Sequence, residues 1–169
     1  GLFCRSGWQA SVIASHLAFQ PPKPFYQVEY NEKTKSYNLY LSPDVQVVPF
    51  DDKYMQVEML ETSTKTKVPL FVFRHPEAKF TMIYSHGNAT DIGAMHSMFV
   101  VLNTTLKINV VGYDYTGYGA SMMFGKEATE KQTYIDIARV YNWCIEAGLV
   151  TDPKTQVIPP PSHNKTKTK

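Results

Sequence analysis

The chain has 169 residues, 43% of them hydrophobic and 13% aromatic, with a formal net charge of +2. That length builds one domain with its own core. The small charge, with lysines gathered at 165, 167 and 169, excludes a nucleic-acid surface spread over the fold.

Two cysteines, Cys4 and Cys144, lie far apart, so no disulfide framework is expected and a reducing compartment fits. The histidines show no HExxH spacing and predict no metal. No apolar run approaches the roughly 18 residues of a membrane span, and residues 1–20 lack the apolar core of a signal peptide.

Residues 1–27 read as an arm that ends in Pro21-Pro22-Lys23-Pro24, a run that stops helices and favours extended backbone. From Ser36 to Val48 the pattern predicts short strands broken by Ser42-Pro43-Asp44. Residues 55–60 alternate apolar and polar, and residues 68–73 form a second strand after the polar turn at 62–67. This pair predicts a hairpin.

The pattern then changes. Residues 80–85 make a nearly continuous apolar strand. A helical period follows, with Ile92, Met95, Met98, Phe99, Leu102 and Leu106 on one face. Residues 108–113 are another buried-type strand. A second helix opens at the capping box Thr129-Glu130-Lys131-Gln132 and stops at Gly148. Its expected apolar face is Tyr134, Ile137, Ala138, Tyr141, Cys144 and Ile145. A third strand is expected at 155–158, where three prolines then interrupt it. Strand, helix, strand, helix, strand implies parallel pairing.

Two constellations carry chemistry. The first is Ser85-His86-Gly87-Asn88-Ala89-Thr90-Asp91, read as lying between a strand and the first turn of a helix. Backbone N–H groups there lack intrahelical partners, and the helix dipole would add positive potential. Such donors suit an oxyanion. Read from pattern alone, a structural turn around a buried His86 is as good an account. The second is Tyr113-Asp114-Tyr115-Thr116-Gly117-Tyr118-Gly119-Ala120-Ser121. Gly117 and Gly119 permit a tight loop, but Met122 stands where a dinucleotide fingerprint needs glycine, and no P-loop is present. No NAD, ATP or other cofactor is expected. Asp114 reads as a residue that fixes the turn rather than one that reacts.

With both motifs in view, SHGNATDIG and YDYTGYGAS resemble the α/β-hydrolase domain-containing family whose members remove palmitate from proteins, the branch numbered 17. The arm segment Ala14 to Pro24 resembles that branch as well. Similar proteins include serine peptidases of the prolyl-oligopeptidase clan. The resemblance covers roughly residues 12–158. It implies the N-terminal half of an α/β-hydrolase fold: a mixed, mostly parallel sheet flanked by helices. The chain then divides into an arm over 1–27 that could target a membrane, a partial α/β-hydrolase domain over 28–158 and, from its prolines and lysines, a disordered tail over 159–169.

The resemblance also implies a Ser-His-Asp triad with its serine on a Gly-x-Ser-x-Gly elbow after the strand at 155–158. One oxyanion donor would be the backbone N–H of Asn88, with Ala89 as the fallback. The Asn88 side chain is then not required. His86, Gly87, Asp114, Gly117 and Gly119 would shape the pocket. No Gly-x-Ser-x-Gly occurs in the 169 residues, and Ser162-His163 is no substitute, because neighbours in a polar segment lack an enforced geometry. The chain alone is therefore expected to be inactive and to be part of a longer hydrolase. Substrates implied by the resemblance are S-acylated proteins at cytoplasmic membrane faces. Cys4 is the lipidation candidate, and one acyl chain there would anchor only marginally. A peptidase, a lipid esterase or a non-catalytic remnant of the same fold are the alternatives. Asn88, Asn103 and Asn164 each begin an N-x-[ST] triplet, and a glycan at Asn88 would obstruct the proposed donors.

Overall fold

The computed structural model describes residues 18–150. Acylation at Cys4, the strand at 155–158, the Asn164 triplet and the tail at 159–169 lie outside the described residues.

In chain order the elements are β1 (Tyr26–Asn31), β2 (Ser36–Leu41), a 3-10 turn (Asp52–Tyr54), β3 (Met55–Glu61), β4 (Lys67–Phe73), β5 (Thr81–Ser85), α1 (His96–Leu106), β6 (Asn109–Tyr113), a 3-10 stretch (Gly119–Phe124) and α2 (Glu130–Glu146). β1 and β2 form an antiparallel hairpin, and the other four strands form one sheet in the order β3-β4-β6-β5. The β3–β4 hairpin is the one the alternation at 55–60 predicts. β4 also pairs antiparallel with β6, and β6 pairs parallel with β5. The sheet is mixed, as expected, but among the described residues its parallel share is the β5–β6 pairing.

β4 is hydrogen-bonded on both edges and covered on both faces, and Val68 to Phe73 are all buried. Val68, Leu70 and Val72 join Val111, Val140 and Cys144 on the α2 face. Phe71 and Phe73 join Val110, Ile92 and Phe99 on the α1 face. This is the period of two in a strand covered by a helix on each side. A Cβ on Gly112 would come within 2.4 Å of the Phe99 ring, so the glycine lets that ring lie against the sheet. Cys144 is a packing residue: burial pushes its thiol up to about 12.

The structure corrects several expectations. The strand β1 begins at Tyr26, inside the stretch read as arm, and no strand forms at 42–50. The helix after β5 starts at His96, not at Ile92; Ile92 is fully buried but sits in the turn before it. Leu106, expected on the apolar face, is 53% exposed. Asn103 is buried instead, its Nδ2 donating to the carbonyls of Ile108 and Phe73. The atom a glycan would occupy is thus engaged inside the fold.

α2 starts and stops as read. Thr129 caps it by accepting from the Gln132 amide, and Gly148 takes the left-handed φ of 67° beyond its end. Its face is rotated. Tyr134 and Ile145 are exposed, whereas Asp136, Val140 and Cys144 are buried. A hydrophobicity pattern assigns an aspartate to solvent, but Asp136 is held inside by Thr116, so the buried stripe runs through it.

Val140→Ala is expected to cost about 2 kcal/mol through lost burial and a small cavity. Tyr134→Ala should change stability by less than about 0.5 kcal/mol. Urea denaturation of both variants checks which face of α2 is the packed one, and equal losses would contradict it.

Candidate functional site

Because β5 and β6 run parallel with Ser85 opposite Tyr113, their outgoing loops leave the same end of the sheet. The loop after β5 carries His86-Gly87-Asn88-Ala89, and the loop after β6 carries Asp114 to Ser121. The tertiary structure thus brings together the two motifs read separately in the sequence, as ligand sites at the carboxyl ends of parallel strands require.

Asp114 is fully buried between them. Its Oδ2 accepts a hydrogen bond from the Tyr26 hydroxyl, and its Oδ1 accepts one from the Ile92 amide at 3.0 Å. His86 Nε2 lies 3.1 Å from the same Oδ1, off the line of a hydrogen bond. A carboxylate so enclosed organises the loop and is not positioned to react with a ligand from solvent. Gly119 has φ +47°, and a Cβ there would fall 1.8 Å from Asp114 Oδ2. Gly117 has φ +87°, and a Cβ on it would fall 2.8 Å from the Ala128 amide. Both glycines are needed for conformation and for space.

His86 is buried, and its ring packs on Tyr115 and Tyr118 with centroids 4.5 and 5.2 Å away. Its Nδ1 lies 2.8 Å from the Gly87 carbonyl, and the Tyr115 hydroxyl donates to the His86 carbonyl at 2.9 Å. Gly87, Asn88 and Ala89 are exposed. No group among the described residues accepts from their amides, and a Cβ on Gly87 would meet nothing within 4 Å. The donors lie on exposed residues.

The source of their electrostatics differs from expectation. The helix after β5 begins only at His96, so Asn88 and Ala89 are not in its first turn. The dipole, which acts within one turn of the helix end, does not reach them. A turn stabilised by side chains intervenes. Asp91 Oδ1 accepts from the Ala94 amide at 2.9 Å, and its Oδ2 accepts from the Phe25 amide at 2.7 Å.

The Asn88 side chain also has work that the backbone reading did not require. Its Oδ1 accepts from the Tyr118 hydroxyl and from the Gln20 amide, both at 2.7 Å. The segment from Gln20 to Tyr26 is thereby laced across the loop cluster at Asn88, Asp91 and Asp114. Sequence reasoning missed Tyr26, Asp91, Tyr115 and Tyr118. Tyr115 and Tyr118 stand inside a quoted motif. Tyr26 carries no local signal, because its partner is 88 residues away.

No protein-family model matches the chain. It is 41% identical over 128 residues to alpha/beta hydrolase domain-containing protein 17B of Homo sapiens, covering 74% of this chain and 43% of that protein. It is 37% identical over 145 residues to alpha/beta hydrolase domain-containing protein aho-3 of Caenorhabditis elegans, covering 83% and 41%. The chain spans less than half the length of these relatives. Among solved structures it is similar to an esterase of Pyrococcus furiosus, with a TM-score of 0.45 and 16% identity over 62% of this chain and 40% of that one.

Two outcomes follow from the buried acids. Tyr26→Phe leaves Asp114 Oδ2 without its donor and is expected to cost about 1–3 kcal/mol in urea denaturation. For Asp91, burial is the largest influence and raises its carboxyl above the ordinary aspartate value. A raised folded value means that folding favours the protonated form. Its contribution is full below the unfolded value and declines as pH rises through the folded one. As pH rises from about 4, the ordinary aspartate value, wild type should therefore lose stability relative to Asp91→Asn, as compared by urea midpoints.

Proposed function

The chain belongs to the alpha/beta hydrolase domain-containing 17 family, and from that premise we propose that its two loops form one side of a serine-hydrolase active site. The observation that carries the proposal is the row of amides on exposed residues Gly87 to Ala89, without an acceptor among the described residues, beyond the carboxyl end of β5 and beside the Asp114 loop. Such donors stabilise the negative oxygen of a tetrahedral acyl intermediate without reorganising when it forms. Asn88 supplies the donor, with Ala89 as the fallback. Gly87, Gly117 and Gly119 keep the approach open and the loops tight.

The reaction is acyl transfer to a serine followed by hydrolysis. The substrate class is a thioester: palmitate on a protein cysteine, removed at the cytoplasmic face of a membrane. The family resemblance of SHGNATDIG and YDYTGYGAS supports this choice, and so does the arm that precedes β1. The serine, histidine and aspartate of the triad are supplied from outside the two motifs. Asp114 has no part in it, because its oxygens are already taken by Tyr26 and Ile92.

The test uses the whole polypeptide that the gene encodes, from start to stop. A fluorophosphonate probe is expected to label one serine, and absence of labelling would overturn the proposal. Asn88→Pro removes the amide hydrogen and should slow labelling by about 100- to 1000-fold. Asn88→Ala keeps that hydrogen and should slow it far less. Circular dichroism on both variants verifies that the fold survives. A panel of thioester, ester and peptide substrates then decides the substrate class, and a preference for peptides would refute depalmitoylation.

A further inference from the structure

The carbonyl oxygens of the turn hold information about its amides. A carbonyl can only accept a hydrogen bond. His86 Nδ1, 2.8 Å from the Gly87 oxygen, must therefore carry the ring hydrogen and donate it. The Tyr115 hydroxyl donates to the His86 oxygen at 2.9 Å. Burial raises the Tyr115 phenol above its ordinary value, which keeps that hydrogen in place.

Each of these carbonyls belongs to the same peptide group as the amide that follows it. The His86 carbonyl is conjugated to the Gly87 N–H, and the Gly87 carbonyl to the Asn88 N–H. A donor on the oxygen draws electron density from the nitrogen and makes its hydrogen a better donor, by about 10–30% per bond. The peptides are trans, so each N–H points to the opposite side from its own oxygen. The two rings that hold the oxygens are packed on each other. His86 is further fixed by Tyr118 on its face. The oxygens are thus held on the ring side, and the hydrogens of Gly87 and Asn88 are left toward solvent.

We propose that Tyr115 and His86 are positioning residues that aim and polarise the amide hydrogens of Gly87 and Asn88 through the carbonyls of His86 and Gly87. The proposal rests on the oxyanion reading of this turn and adds how its donors are strengthened without a helix terminus. It also pairs the two donors with two different side chains, Tyr115 with Gly87 and His86 with Asn88.

That pairing makes the test selective. In nitrogen-15 spectra of the 169-residue chain, Tyr115→Phe is expected to move the Gly87 amide proton upfield and leave Asn88 in place. In wild type, the His86 ring nitrogens should report the tautomer with hydrogen on Nδ1. A general loosening of the turn would move both amides together. That result, or a His86 ring with Nδ1 bare, would overturn the proposal. In the whole gene product, Tyr115→Phe should slow fluorophosphonate labelling about fivefold, the effect of one ordinary hydrogen bond acting indirectly. An unchanged labelling rate would count against the relay. Selective amide shifts with no labelled serine in wild type would sink the oxyanion reading instead, and this proposal with it.

Discussion

A carboxylate removed from water must have its oxygens filled by donors, or the fold loses several kcal/mol. Asp114 meets that demand with a hydroxyl from the strand β1 and an amide from the turn before α1. These groups come from three separate parts of the chain. Satisfying one buried charge therefore fixes where the two candidate loops and the N-terminal segment lie relative to one another. Gly119 is the counterpart of this arrangement, because any side chain there would occupy the place of the Asp114 oxygen.

Two further polar residues repeat the device at smaller scale. Asp91 gathers the Phe25 and Ala94 amides, and Asp136 gathers the amide and hydroxyl of Thr116 together with Gln132. Burial raises both carboxyls, so each lends less stability when ionised than when protonated. What they provide is position. Asp136 anchors the second loop to α2, and Asp91 anchors the first loop to the segment before β1. Among the described residues no group accepts from the amides of the turn between them. Unpaired donors held within a rigid surround are what binding a transient anion calls for, since no groups must reorient when the charge appears.

The electrostatics of this turn come from oriented peptides and not from a helix end. The helix starts too late in the chain for its dipole to act. In its place, side-chain donors on the opposite face of the peptides raise the polarity of the amides. The rings that do so, His86 and Tyr115, are also the rings packed beneath the loop. The same contact therefore serves packing and polarity.

The architecture was legible where the signal is local. Alternation marked β3 and β4, apolar runs marked β5 and β6, Thr129 marked the start of α2 and Gly148 its end, because each depends on neighbours within a few residues. The two motifs were likewise legible as glycine-bearing turns after strands. The orientation of α2 was not, because Asp136 is buried only by virtue of Thr116, twenty residues before it. The sequence by itself determined the order of strands and turns and the residue types that could offer an oxyanion donor. Only the tertiary structure decided that Gly87 and Asn88 stand open while His86, Asp114 and Tyr26 are sealed beneath them. Strand and turn propensities arise from adjacent residues, whereas the filling of a buried charge depends on groups that meet only once the chain has folded.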